Sequence, residues 1–132
     1  MNCWMNPAPA DNWNTTSGYT GSTRQQVVYT KLGSIMPPTD RWVLLDENPY
    51  SINDGMFVCD LANIHYWVDI PASYHNGAGG LSFADGHAEI HAWRDPNVLG
   101  YKSVNNNNQT RQTPSAGDLA WLQQRSTQFI SQ

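Results

Sequence analysis

The sequence predicts an α+β fold, in which an antiparallel β-sheet with long loops is followed by a short C-terminal helix. Three observations carry this prediction: short apolar runs bounded by turn residues, an Asp-Gly pair between two alternating runs, and a late stretch with helical spacing. The 132 residues suffice for one domain. Within it we expect an irregular segment over 1–23, a β-rich core over 24–95, and a loop with a short helix over 96–132.

Short strands are expected in the β-rich core. The clearest is 41–46, because Trp42 to Leu45 is an unbroken apolar run that ends in a cluster of turn-forming residues. Weaker strand candidates lie at 24–31, 56–59 and 66–70.

A β-hairpin is predicted over residues 81–93. Asp85 and Gly86 separate two alternating runs, and a two-residue type I′ turn there would place Ala84 opposite His87 and Leu81 opposite Ile90. The apolar face would then hold Leu81, Phe83, Ala88, Ile90 and Ala92, and the polar face Ser82, His87, Glu89, His91 and Trp93.

The chain end is expected to be helical. Asp118 is a suitable cap for a helix from Leu119 to about Gln128, and Leu119, Leu122 and Phe129 have helical spacing. Residues 94–117 are predicted to form a loop.

Composition bounds the possible partners. Charged residues make up 14% of the chain, the net charge is -4, and the seven Lys and Arg residues are scattered, so we expect no nucleic-acid partner. No run approaches the roughly 20 apolar residues of a membrane span, and no signal peptide is recognisable.

Cys3 and Cys59 can form a disulfide in an oxidising compartment or can be two unrelated thiols.

Two groups of residues are candidate metal ligands. One segment between two predicted strands carries oxygen donors suited to Ca²⁺, although the same residues also serve as turn formers: Asp46, Glu47, Asn53 and Asp54. Alternate positions of a predicted strand can share a divalent ion, or can be an ordinary solvent-facing surface: His87, Glu89 and His91.

His75 and Asp85 form a further candidate pair. If the chain returned His75 to the Asp-Gly turn, the two side chains could hydrogen-bond, hold a metal, or polarise a water as a general base. The chemical alternative is therefore a small metal-dependent hydrolase acting on an ester or lactone. A third hypothesis is a carbohydrate-binding module that uses some of the six Trp residues.

His75 is followed by nine residues and then by Asp85-Gly86, and two further blocks flank this pattern at 46–55 and 118–125. Together these blocks resemble the prepilin-type H-X9-DG family, over about residues 24–130 and without that family's N-terminal hydrophobic helix. The resemblance implies a pseudopilin-like head, exported to the periplasm or cell surface, in a type II secretion or type IV pilus-like system. It also implies partners among pseudopilin-like or secretion proteins, and it favours Ca²⁺ as a cofactor.

Overall fold

The computed structural model of this chain describes residues 1–5, 25–26, 28–61, 66–102, 111–112 and 117–130. Two α-helices lie in this part of the chain, α1 (Pro96–Leu99) and α2 (Gly117–Ser126). Its strands are β1 (Gln25–Gln26), β2 (Trp42–Leu45), β3 (Tyr66–Trp67), β4 (Ala78–Phe83), β5 (Ala88–Ala92), β6 (Arg111–Gln112) and β7 (Phe129–Ile130). Short 3₁₀ turns occupy Leu32–Ser34 and Pro38–Asp40.

The main sheet has three strands in the order β2-β4-β5, and both of its strand pairs are antiparallel. Two further antiparallel pairs are small: β1 with β7, and β3 with β6. With the C-terminal helix α2, this arrangement confirms the predicted α+β class. The strand expected at 56–59 is absent, since Phe57 makes only an isolated bridge with Asn2.

The hairpin between β4 and β5 is present, but its turn differs from the prediction. Ser82 lies opposite Ala88 and Gly80 opposite Ile90, so three residues, 84–86, form the loop instead of two. The Gly86 N–H donates to the Phe83 carbonyl at 3.0 Å, and Gly86 has a φ of 95°. This geometry is that of a three-residue hairpin with glycine at its last position.

A shift of one residue in register changes which side chains share a face. The inner face of the hairpin holds Leu81 and Phe83, both buried, together with Trp93. Ala88, Ile90 and Ala92 were predicted to share that face, but they lie on the outer one, where Ile90 is 70% exposed. The predicted apolar and polar faces were therefore wrong in composition.

A type I′ turn does occur, at the other end of β4. Asn76 and Gly77 both have positive φ, 53° and 84°. His75 and Ala78 exchange two backbone hydrogen bonds across them, each 3.2 Å long. Asn-Gly is the most favourable pair for this turn. The conformation predicted for Asp85-Gly86 is thus adopted by Asn76-Gly77.

The core lies between the inner face of the main sheet and helix α2. Leu119 and Leu122 are the buried apolar residues of the helix. They pack with Trp42, Phe57, Trp67, Ile70, Leu81, Phe83, Trp93 and Val98. The helix begins at Gly117 and ends at Ser126, slightly earlier than predicted. The region expected to be loop over 94–117 contains α1 and β6.

Two buried carboxylates, Asp95 and Asp118, hold the backbone where the chain enters α1. Asp118 accepts hydrogen bonds from the backbone N–H groups of Arg94 and Asp95, at 2.6 and 2.8 Å. The Asp95 carboxylate accepts from the Trp67 indole at 2.8 Å and from the Asn97 N–H at 2.9 Å, which caps α1. Asp118 therefore joins α2 to the end of the hairpin, in addition to its place in the first helical turn.

The first residues of the chain belong to the core. Asn2 is fully buried, and its side-chain amide donates to the carbonyls of Trp42 and Ser126, at 2.8 and 2.9 Å. Trp4 is fully buried as well. The irregular segment predicted over 1–23 is therefore packed at its start, and residues 6–23 lie outside the described part.

Among the described residues, no helix is long and apolar enough to cross a membrane, and α2 has ten residues.

Gly79 is expected to tolerate no larger side chain. A Cβ there would lie 2.5 Å from the Ala72 carbonyl oxygen and 3.1 Å from the Trp93 indole nitrogen, which are hydrogen-bonded to each other. We expect Gly79→Ala to lower the free energy of unfolding by about 1–3 kcal/mol, measured by urea denaturation. Gly55→Ala is the matched control, because no atom lies within 4 Å of its added Cβ. Equal stability of the two variants would contradict this packing.

Candidate functional site

His75 and Asp85 lie at opposite ends of β4. The six residues of the strand separate the two turns by roughly 17 Å. Gly79 and Gly80 belong to the strand itself, so the chain does not return His75 to the Asp-Gly turn. The structure therefore does not bring together the pair on which the hydrolase hypothesis depended.

Asp85 has a different histidine partner. Its carboxylate lies 2.6 Å from His87 Nδ1 and accepts the His87 backbone N–H at 3.1 Å. The His87 ring stacks on Phe83, with centroids 4.3 Å apart and planes 7° apart. These hydrogen bonds from His87 lower the pKa of the exposed Asp85 carboxyl. The pair stabilises the loop of the hairpin, and Gly86 supplies its positive φ.

His91 belongs to an aromatic cluster with Trp93 and Trp121. Its ring stacks on Trp121 at 3.8 Å and meets Trp93 edge-on at 4.5 Å, while the Arg125 guanidinium lies 4.4 Å from the centre of the Trp121 ring. Burial lowers the pKa of His91. His87 and His91 thus have separate surroundings, and with Glu89 they do not form the metal site predicted for this strand.

The acidic segment after β2 directs its carboxylates to different places. Asp46 Oδ2 accepts the Gly80 N–H at 3.2 Å on the outer face of the sheet. Glu47 Oε1 accepts the Ser51 hydroxyl at 3.0 Å, and Asp54 Oδ1 accepts the Met56 N–H at 2.6 Å. Asn53 is exposed in the same loop. The contacts of the three carboxylates are turn and strand contacts.

Asp69 was missed by sequence reasoning and is the most perturbed carboxyl of the described residues. It is 2% exposed, and burial raises its pKa from 3.8 to about 7, with the negative charges of Glu47 and Asp54 adding to the effect. Its carboxylate accepts the Val58 N–H. A charged residue inside the apolar run 66–70 is the sequence signal that could have found it.

A calcium ion was predicted to bind Asp46, Glu47, Asn53 and Asp54. Across the described parts of the chain, no three His, Cys, Asp or Glu residues are grouped so that they could hold a metal. Asp46 reaches the outer face while Glu47 bonds Ser51, so this donor set does not fit one ion. Calcium binding by another set of donors stays a prediction.

Both cysteines, Cys3 and Cys59, are buried. They lie in neighbouring segments, because the Cys3 N–H donates to Phe57 O at 3.2 Å and the Trp4 indole donates to Cys59 O at 3.2 Å. Burial raises the pKa of both thiols, that of Cys59 to about 12. Their pairing as a disulfide stays a prediction.

The outer face of the main sheet carries exposed apolar side chains. Leu44 is 54% exposed and Ile90 is 70% exposed. They flank an open hollow of about 470 Å³, whose floor includes Gly80, Ser82 and Ala88. The absence of a side chain at Gly80 leaves room for this hollow. Exposed apolar surface of this kind is typical of an interaction site.

The five described tryptophans do not form an exposed platform for carbohydrate. Trp4, Trp42, Trp67 and Trp93 are buried, and Trp121 is half-buried. Trp13 lies outside the described residues. No described tryptophan therefore supports the carbohydrate-binding hypothesis.

No family model, curated protein or solved structure matches this chain.

Asp69 should make stability depend on pH. Its pKa is raised from 3.8 to about 7 in the folded state, so its contribution is fully present below about pH 4 and is lost as the pH rises through about 7. Relative to Asp69→Asn, we expect wild type to lose up to about 4 kcal/mol of unfolding free energy between these limits. Urea denaturation at several pH values measures it, with Asp40→Asn as the exposed control. Parallel curves for wild type and Asp69→Asn would disprove the assignment.

Calcium should leave thermal stability unchanged if Asp46, Glu47 and Asp54 make the contacts described. We expect the same Tm in excess Ca²⁺ and in EGTA, because these three carboxylates are held by separate hydrogen bonds and do not converge on one position for a metal ion. Differential scanning fluorimetry checks this. A rise in Tm with Ca²⁺ that is abolished by Asp54→Asn would instead support the predicted calcium site.

Proposed function

We propose that this chain is the exported, pseudopilin-like head of a type II secretion or type IV pilus-like system and that it acts as a protein–protein interaction module. Two independent arguments support the proposal. The first is the order of the three sequence blocks, in which His75 and Asp85-Gly86 occupy the ends of one strand. The second is the exposed apolar face beside that strand.

The outer face of the main sheet is the observation that carries the proposal. Leu44 and Ile90 project from β2 and β5 on either side of the glycine-containing strand β4. Leaving large apolar side chains in water is unfavourable by roughly 25 cal/mol per Å² of accessible apolar surface, and a partner removes that cost. Two carboxylic residues border this surface: Asp46, whose Oδ2 accepts the Gly80 N–H, and Glu89.

The spacing of the H-X9-DG pattern has a structural explanation on this proposal. His75 closes a type I′ turn through its backbone, and Asp85-Gly86 closes the next hairpin. The residues between them supply one turn, one strand and the start of the next turn. The pattern therefore preserves the length and register of β4, and with them the exposed face, without requiring catalysis by His75.

Site-specific photo-crosslinking in the source cells tests the proposal. A photoreactive residue at Leu44 should crosslink to pseudopilin-like or secretion proteins, identified by mass spectrometry, because Leu44 lies on the proposed contact face. The control position is Tyr74, which is 60% exposed but lies beside the type I′ turn. Equal crosslinking at both positions, or partners confined to the cytoplasm, would refute the proposal.

A further inference from the structure

The free edge of β5 is the second unpartnered feature of the main sheet. Within the described residues, β5 pairs only with β4, and the sheet order leaves its other edge open. Natural edge strands are commonly protected by lysine, proline or a bulge. The five residues of β5, Ala88–Ala92, include none of these and pair with β4 in an unbroken register.

The hydrogen-bonding groups on this edge can be assigned from the register. The Phe83 N–H donates to His87 O and the Trp93 N–H to Gly77 O, so odd-numbered residues of this strand direct their backbone groups towards β4. In an antiparallel pair the direction alternates along the strand. Ala88, Ile90 and Ala92 therefore direct their N–H and C=O groups to the open edge.

The sequence of β5 is self-complementary about Ile90. In a two-fold antiparallel pairing centred there, Ile90 lies opposite Ile90 of the second copy, Ala88 opposite Ala92, and Glu89 opposite His91. The three outward-directed residues are then the three hydrogen-bonded positions. No carboxylate faces another carboxylate, which would be unfavourable across strands.

Other registers are less favourable. Pairing centred on Glu89 would put the two Glu89 side chains opposite each other, and it would hydrogen-bond Ala88 to Ile90 while leaving Ala92 opposite Gly86 of the hairpin loop. Pairing centred on Ala88 would bring the hairpin loop at Gly86 against Ile90. The register centred on Ile90 alone uses all five residues of the strand.

We propose that a second copy of this chain pairs antiparallel with β5 at its open edge, centred on Ile90, and joins the two main sheets into one six-stranded sheet. This inference rests on the proposed interaction function and names one partner for it. The pairing brings the two Ile90 side chains side by side on the outer face, between the flanking alanines. The apolar outer faces of the two copies then become continuous.

Ile90→Pro is the decisive variant. The Ile90 N–H is directed away from β4, so proline removes no hydrogen bond of the monomer, whereas it removes the two central donors of the dimer and adds bulk at the edge. We expect sedimentation equilibrium of the 132-residue chain to show reversible dimerisation that Ile90→Pro weakens by about tenfold or more. Leu44→Asp is the control, since Leu44 lies two strands, or about 10 Å, from the edge.

A cysteine substitution tests the register even if the proline variant fails to fold. Ile90→Cys should form a disulfide-linked dimer under mild oxidation, because the two positions face each other across the two-fold axis. Leu44→Cys, which is also exposed, should not. The native thiols are buried and do not compete in the folded protein.

The outcomes separate this inference from the proposed function. A chain that stays monomeric at all concentrations, or an Ile90→Pro variant that dimerises like wild type, overturns the edge pairing. Loss of dimerisation in Leu44→Asp but not in Ile90→Pro overturns it in favour of stacked outer faces. Failure of the Leu44 crosslinks would refute the secretion-system partners while leaving the β5 dimer standing.

Discussion

The fold depends on the register of β4, and that register is set at both ends by turns that need positive φ. Asn76 and Gly77 reverse the chain before the strand, and Gly86 ends the three-residue loop after it. Between them, Leu81 and Phe83 face the core while Gly80 and Ser82 face outward. A slip of one residue would bury Ser82 and expose both apolar side chains, which the packing of Trp42 and Leu119 against this face opposes.

The class of the fold and two of its elements could be predicted because they depend on local pattern. The unbroken apolar run of β2 predicts a buried strand, and the spacing of apolar residues in α2 predicts a helix. The turn at Asp85-Gly86 could not be typed in the same way, because Asp-Gly serves two-residue and three-residue loops alike. The register of β4 with β5 decides between them, and it buries Trp93 while leaving Ile90 exposed. Asn76-Gly77 is the stronger type I′ signal, and the structure places that turn there.

The candidate sites failed for a related reason. His75 and Asp85 are close in sequence, but a strand between two residues separates them at about 3.3 Å per residue. Asp85 instead takes the nearest available histidine, His87, and His91 packs into an aromatic cluster. The apolar run 66–70 marks Asp69 as a candidate buried acid, but the groups around its carboxyl, the Val58 N–H with Glu47 and Asp54, are brought near it only by the fold. The feature of the described residues on which the proposed interaction rests is the exposed apolar face of the main sheet.

The buried thiols of Cys3 and Cys59 carry a practical consequence. The thiolate, rather than the thiol, attacks thiol reagents, and burial of both groups raises their pKa values. Cys3 lies in the segment that inserts Asn2 and Trp4 into the core, so this thiol becomes reactive only when the segment leaves its place. The rate at which Cys3 is labelled in native buffer therefore measures the opening of the chain's first residues, and no cysteine has to be introduced by mutation. Comparison with the rate at Cys59 distinguishes that local opening from unfolding of the whole domain.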